Sequence, residues 1–377
     1  MNIVYILPSL EKMGGAERII TEKADYLIKH FGYKVCIICL FQNEDSPNAL
    51  SLSKSIRQIN LGIQYHTQYR YKYPIRLLVK KRIIRDMRNK LSKIIYSIAP
   101  DIIIGVSYSQ ADLVCSIPNR AKKIIECHEP KSLIISSIYS GSYISKLYAK
   151  WIYIRTIEKK ADLVVTLTKD DQLQWHNVKR TEVIPNFSPM QIKQHSTCKK
   201  KRVIAVGRLH QEKGFDRLIS IWASISAKYT DWQLDIYGDG IIKDQLIQII
   251  QKNNVKNICL RGGSQNISEE YANSSICAVT SYFEGFSLVI LEAMKHGVPC
   301  IAFDCPNGPR NIIEDGKNGF LIEDGNNSLY IEKLCTLIES EQLRQHFSKA
   351  SIERSKYFDT DNIMLKWKNL FEELVKK

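Results

Sequence analysis

The first hydrophobic run, NIVYIL at residues 2–7, is continuous and β-branched. After it come the glycine turn KMGGAER, apolar positions at helical spacing over residues 19–28, and a second continuous run, YKVCIICLF. That order predicts a strand, a turn, a helix and a parallel strand. Similar runs recur in DIIIGVS from residue 101, AKKIIECHEP from 121, ADLVVTLT from 161 and EVIPN from 182. Strands covered by helices on both faces read as near-continuous apolar runs, so a parallel sheet within α/β layers is expected. Residues 188–202, SPMQIKQHSTCKKKR, then carry no apolar period and four consecutive basic side chains, which marks a break between domains. Beyond it the alternation restarts with RVIAVGRL, a helix over 215–229, WQLDIYGDG, a helix over 242–252, ICLRG, ICAVTS, a helix over 286–295, VPCIAF and GFLIED. Two open α/β units in series are predicted, over residues 1–190 and 191–356, each with its ligand edge at the strand C-termini. Residues 357–377 are predicted to form an amphipathic helix with no strand after it.

A chain of 377 residues is long enough for two such domains, and 44% hydrophobic with 25% charged residues excludes a disordered or collagen-like chain. Charge adds more. Fifty-four Lys and Arg against 39 Asp and Glu give a net +15, and residues 1–190 hold 29 of the basic and 16 of the acidic side chains. An anionic partner is implied, whether a phosphate-bearing ligand, an acidic membrane surface or a nucleic acid. The 10 cysteines include one CxxC, Cys36 to Cys39, inside an apolar run, and read as reduced thiols of a cytosolic protein. The opening residues have no basic export region. The most apolar longer stretch, residues 133–154, is broken by serines, a glycine, Lys146 and Lys150, so no membrane span is expected.

Four features fall at predicted strand ends. Gly14 and Gly15 stand between a strand and a helix, where backbone N–H groups can approach a phosphate, although a tight turn closing a βα unit needs the same residues. In VGRLHQEKGFD, Arg208 and Lys213 lie five residues apart before a helix, a pair suited to a pyrophosphate if the loop is more than a solvated one. In YFEGFSLVILEAMKHG, Glu284 and Glu292 flank a predicted helix start near Phe286, with Glu292 expected about two turns inside. The N–H groups of Phe286, Ser287 and Leu288 are then first-turn donors for a phosphate. Finally, ECHEP sets His128 between two Glu at a strand end, where it can donate a hydrogen bond or shuttle a proton, or simply be structural.

Taken in this order, the motifs resemble family 4 glycosyltransferases. GRLxxxKG, EGFxLxxLEAMxxGxP and DGxNGFL together cover most of residues 203–325, while the likeness of the first half rests on GGAER and the His128 strand end. The resemblance implies the GT-B fold, two Rossmann-like doubly wound parallel-sheet domains facing a central cleft, with the helix of residues 357–377 crossing back to the N-terminal domain. It also implies a retaining transfer of a hexose or N-acetylhexosamine from a UDP-sugar. The acceptor would be a sugar on a polyprenyl-diphosphate carrier, in surface polysaccharide or O-antigen synthesis. By the same resemblance Arg208 and Lys213 hold the donor diphosphate, Phe286 to Leu288 offer it backbone N–H groups, and Gly15 lets the acceptor-domain loop close on it. Glu284 contacts the donor sugar hydroxyls, Glu292 the ribose hydroxyls, and His128 orients the sugar. No metal or other cofactor is implied; the lone Asp-x-Asp, Asp359 to Asp361, sits beside a helix start, where capping is the simpler role. The chain departs from the pattern at IPNFSP, where relatives often have a Gly-rich turn, and at Asn311, where many have Glu.

Residues 70–93 carry ten basic side chains and one acid. Ile75, Val79, Ile83, Met87, Leu91 and Ile94 recur there at helical spacing, with Arg76, Lys80, Lys81, Arg82, Arg85 and Arg88 beside them. Such a helix packs on its own domain with a solvated basic face, or lies on anionic lipid with Tyr69, Tyr71 and Tyr73 at the interface. The second alternative implies a cytoplasmic protein held peripherally on the inner face of the cell membrane. A further Ile- and Tyr-rich stretch, residues 132–155, is a candidate cover for the acceptor site or a pair of core helices. Competing readings are the same fold with a soluble acceptor, a nucleotide-sugar epimerase, and a non-transferase protein that binds nucleic acid or anionic lipid. No nucleic-acid recognition motif is present, so nucleic acid is not expected as a partner.

Overall fold

The computed structural model describes residues 1–12, 14–106, 108–131, 147 and 157–376. Two compact units divide the chain: Met1–Pro185 with Ile363–Lys377, and Asn186–Asn362. The division falls after Pro185, a few residues ahead of 190, because the linker residues pack on the second unit. There the Lys295 ammonium donates to the Ser188 carbonyl and the Ser196 N–H to the His296 carbonyl.

In the first unit, β1 (Asn2–Leu7), β2 (Lys34–Cys39), β3 (Arg57–Asn60), β4 (Ile102–Gly105), β5 (Lys122–Cys127), β6 (Leu163–Thr166) and β7 (Thr181–Val183) form one sheet. Its order is β3-β2-β1-β4-β5-β6-β7, and every pairing is parallel. One face carries a core of Val4, Ile6, Ile38, Ile103, Ile125 and Val164, closed by Met87, Leu91 and Ile95 of the helix Ile75–Ile98. The other face meets the helix Gly15–Phe31 and the terminal helix Thr360–Lys376, whose Glu373 pairs with Arg180 and whose Lys368 lies 5.2 Å from the Phe31 ring centre. Burial of Cys36 and Cys39 pushes their thiols up to about 11 and about 12, the opposite of an activated CxxC pair.

The second unit repeats the plan. β8 (Arg202–Val206), β9 (Gln233–Tyr237), β10 (Ile258–Gly262), β11 (Ile276–Val279), β12 (Cys300–Asp304) and β13 (Gly319–Glu323) run in the order β10-β9-β8-β11-β12-β13, again all parallel. The core sits between the sheet and amphipathic helices such as Phe215–Ile225, whose Leu218, Ile219 and Trp222 are fully buried.

The basic helix differs from its expected stripe. Among the described residues it is anchored mainly toward its C-terminal end, through Met87, Leu91 and Ile95 with Ile83 partly buried ahead of them. Ile75 at the head of the stripe is 56% exposed, as are Leu78 (67%), Tyr69 (63%) and Tyr73 (72%) nearby. Arg88 turns inward instead of facing solvent: it is half-buried, with its Nε out of water. Among the described residues no helix is long and apolar enough to cross a membrane. Apart from Leu147, the stretch 132–155 lies outside the described residues.

Candidate functional site

A parallel sheet opens a crevice where its strand order reverses, because neighbouring connections leave toward opposite faces. In the second unit that point is the β8–β11 pair, and the two loops that leave it carry the charged motifs. After β8 the chain passes Arg208, makes one 3-10 turn over Gln211–Lys213 and reverses at Gly214. Gly214 has φ +63°, and a Cβ there would lie 2.0 Å from the Thr280 carbonyl oxygen, so only glycine permits this approach. The Thr280 hydroxyl donates to the Gly214 carbonyl at 2.8 Å and locks the two loops together.

That contact delivers Lys213 to Glu284. The Lys213 ammonium and the Ser281 hydroxyl both donate to Glu284 Oε1, at 2.8 and 2.7 Å. Arg217 braces the loop from behind: its guanidinium donates to the Thr280 and Ser281 carbonyls and to Asp324, and it lies against the rings of Tyr282 and Phe303. On the other side a Cβ at Gly308 would lie 2.4 Å from Glu284 Cβ, so the loop after β12 packs directly on the stem of the Glu284 side chain. Arg208 does not join the pair. Its side chain is 61% exposed and donates to Glu212 at 2.7 Å.

The helix expected from residue 286 begins at Leu288, with Ser287 as its N-cap. Phe286 therefore precedes the helix, and its buried ring packs edge-on against Phe358. Leu288, Val289 and Ile290 now supply the first-turn N–H donors. The Ser287 hydroxyl is buried without a hydrogen-bond partner among the described residues, a further polar group held at the helix mouth. The later start also puts Glu292 little more than one turn inside, where it is 6% exposed and accepts from the Tyr271 hydroxyl at 3.4 Å. Tyr271 stacks on His296, whose Nδ1 donates to the Glu292 carbonyl and whose Nε2 meets the Ser268 hydroxyl at 2.7 Å.

The remaining two site residues lie in the first unit. Gly15 opens the helix Gly15–Phe31 and is exposed. A Cβ on the preceding Gly14 would meet Glu17 Oε2 at 2.3 Å, so the chain's own carboxylate lies over this helix start. His128 follows β5, with its Nε2 3.1 Å from Glu126 Oε1 and its side chain 7% exposed. Glu126 is in turn bound by the Lys23 ammonium through both oxygens. Among the described residues no group of three or more His, Cys, Asp or Glu is placed to hold a metal ion. Asp359 and Asp361 stand at the start of the terminal helix, Asp359 4.0 Å from Lys295.

Sequence reasoning missed Ser281, Arg217, Tyr271 and Lys23. Only Lys23 left a signal: it shares the stripe of Ile19, Ile20, Ala24 and Leu27, so a charge was placed where the helix must be buried.

Residues 189–354 match the family model for glycosyl transferases group 1. The amylovoran biosynthesis glycosyltransferase AmsD of Erwinia amylovora is 35% identical over 221 residues, which span 56% of this chain and 62% of that protein. A Campylobacter jejuni enzyme, N-acetylgalactosamine-N,N'-diacetylbacillosaminyl-diphospho-undecaprenol 4-alpha-N-acetylgalactosaminyltransferase, is 28% identical over 253 residues, or 64% of this chain and 67% of its own. Among solved structures, Staphylococcus aureus TarM with fondaparinux, alpha-GlcNAc-glycerol and UDP matches 98% of this chain and 99% of its own, with a TM-score of 0.78 at 17% identity. That likeness, with one all-parallel sheet in each unit, gives the GT-B fold.

Proposed function

From the match of residues 189–354 to the glycosyl transferases group 1 family, we propose that this chain is a glycosyltransferase with a specific reaction. It moves a hexose or N-acetylhexosamine from a UDP-sugar, with retention of anomeric configuration, to a sugar on a polyprenyl-diphosphate-linked glycan of a surface polysaccharide or O-antigen. The observation that carries this reading is the Lys213–Glu284 pair beside the Ser287 helix mouth at the sheet's switch point. A departing nucleoside diphosphate develops negative charge, and Arg208, Lys213 and the free N–H groups of the first helical turn are preset to receive it. These cations supply the charge neutralisation, so the proposed reaction needs no divalent metal. Glu284, tied on one oxygen by Lys213 and Ser281, keeps the other for a sugar hydroxyl, and Glu292 takes the ribose hydroxyls. His128 orients the transferred sugar. The Campylobacter relative, whose acceptor is an undecaprenol diphosphate glycan, supports the choice of acceptor.

Such an acceptor places the enzyme at the inner face of the cell membrane. Exposed Tyr69, Tyr73, Ile75 and Leu78 beside exposed Lys80, Lys81, Arg82 and Arg85 support that location, since apolar side chains can enter the interface while the cations meet lipid phosphates. Arg76 is partly covered by Tyr69, 4.3 Å from the ring centre, and with Arg88 turned inward the working set narrows to those four cations.

Thermal unfolding against a panel of UDP-, GDP- and ADP-sugars, with chelator present, tests the donor. A rise with one UDP-sugar is expected, and no rise with any nucleotide sugar rejects the reading. Replacing Lys80, Lys81, Arg82 and Arg85 with Ser should lower binding to phosphatidylglycerol vesicles by roughly 1 kcal/mol per residue and leave UDP affinity unchanged. Equal co-sedimentation of the variant and the native chain would reject the membrane surface.

A further inference from the structure

The first unit holds a chain of charge that the donor chemistry does not use. Parallel register puts Tyr5 of β1 and Glu126 of β5 on the same face of the sheet, under the helix Gly15–Phe31 and the terminal helix. On that face Lys23 is 0% and Glu126 1% exposed. The Lys23 ammonium binds both Glu126 oxygens and is enclosed by the Trp367 ring at 3.7 Å and the Tyr5 ring at 5.4 Å. Between two rings it has no route to solvent, and the Tyr5 hydroxyl, buried and without a partner among the described residues, does not compete for it.

An ion pair this deep is a poor device for stability alone. Removing two charges from water costs several kcal/mol each, and apolar residues of similar volume commonly serve as well or better. The pair does, however, fix something at the surface of the sheet, because Glu126 Oε1 also accepts from His128 Nε2.

We propose that Glu126 and Lys23 are positioning residues that hold the His128 ring as its Nε2–H tautomer, leaving Nδ1 as a hydrogen-bond acceptor for a hydroxyl of the transferred sugar. The inference rests on the reading of His128 as the residue that orients that sugar. The logic is one of donors and acceptors. A carboxylate only accepts, so the His128 nitrogen that meets it must carry the proton. Lys23 keeps Glu126 a carboxylate: burial alone would favour the acid, but the Lys23 charge and then His128 outweigh it and hold the group down at about 2. Burial pulls the Lys23 ammonium down as well, opposed by Glu126, and we take the pair as ionised because the carboxylate answers two donors at once.

The same logic predicts the outcome of removing the acceptor. Oε1 accepts from both Lys23 and His128, and Lys23 also meets Oε2, so Lys23→Met with Glu126→Leu takes away the group that fixes the proton on Nε2 and leaves both tautomers open to the ring. Nitrogen-15 NMR of the histidine ring at about pH 8 reads this directly without any acceptor substrate. The native chain should show His128 protonated on Nε2 alone and the double variant a mixture of the Nε2–H and Nδ1–H forms; a native Nδ1–H tautomer, or the same single tautomer in both chains, overturns the proposal.

The double variant Lys23→Met with Glu126→Leu separates positioning from packing. Its melting temperature should hold or rise, while the turnover of UDP release from the stabilising UDP-sugar falls at least about tenfold with KM for the donor nearly unchanged. Retained turnover, in a background where His128→Ala is impaired, overturns the proposal. If His128→Ala keeps full turnover, it is the placement of His128 at the sugar that fails, and the NMR tautomer still decides what Glu126 does to the ring.

Discussion

The two units share one architecture, yet they hold charge in opposite ways. In the second, cations and carboxylates sit on loops at the switch point and remain partly open: Arg208 is 61% exposed, and Lys213 and Glu284 are 19% and 10% exposed. Each of these cations now rests on a neighbouring carboxylate and can exchange it for an incoming phosphate at little cost in desolvation. In the first unit the Lys23–Glu126 pair is sealed under two helices and cannot exchange partners. Under the proposed function, the charges that bind ligand are kept loosely satisfied at a rim, whereas those that orient another group are kept satisfied and enclosed. The difference is one of placement, since both sets combine basic residues with Glu.

The largest effect expected from breaking this contrast is at Glu284. Glu284→Ala removes the carboxylate that Lys213 and Ser281 orient, and turnover should fall by about 10²- to 10³-fold with a modest loss of nucleotide affinity. Lys213→Ala comes next, because it removes the proposed diphosphate contact and leaves Glu284 with Ser281 alone; donor affinity by calorimetry should weaken by about 10- to 100-fold. Arg208→Ala, on an exposed side chain, should cost less, on the order of tenfold, with the loss growing as salt is lowered. Equal donor affinity in all three variants and the native chain would remove this loop pair from the binding site.

Much of this was legible in the chain itself, for physical reasons. Both sheets are parallel and buried on two faces, so their central strands are continuous apolar runs that stand out against amphipathic helices. β3, RQIN at residues 57–60, escaped because an edge strand needs no such run. The charged motifs were legible because they lie at strand ends, where topology makes a crevice whatever the neighbouring residues are. What escaped is what depends on close approach. Gly214 brings Lys213 to Glu284 through a backbone contact with Thr280, Arg217 braces that loop through carbonyls, and the Leu288 helix start was misplaced by two residues. The stripe of the helix Ile75–Ile98 was periodic along its full length, but among the described residues the core takes up its C-terminal part from Ile83 on, while Ile75 and Leu78 stay exposed, which periodicity cannot reveal.

The smallest expected effect is also the one that separates the units most cleanly, because each has a titrating group that fails in its own pH range. His296, the support of Tyr271 and Glu292, has its ionisation pulled below the ordinary 6.5 by burial, with His195 and Lys295 adding to the shift and the Glu292 carbonyl opposing it. A depressed folded value means that its contribution to stability is complete above about pH 6.5 and is lost as pH falls through the folded value. Glu126 is depressed from 4.5 to about 2, so its contribution is complete above pH 4.5 and is lost only between there and about pH 2. Mild acid should therefore loosen the second unit while the buried pair of the first stays intact. Urea unfolding followed by hydrogen exchange at about pH 7.5 and about pH 5.5 should show protection falling around His296 and Tyr271 but not around Lys23 and Glu126. His296→Asn, which can keep the donor to the Glu292 carbonyl without titrating, should flatten that loss. If the loss persists undiminished in the variant, or appears first around Glu126, then the two units do not differ in the way their buried groups imply.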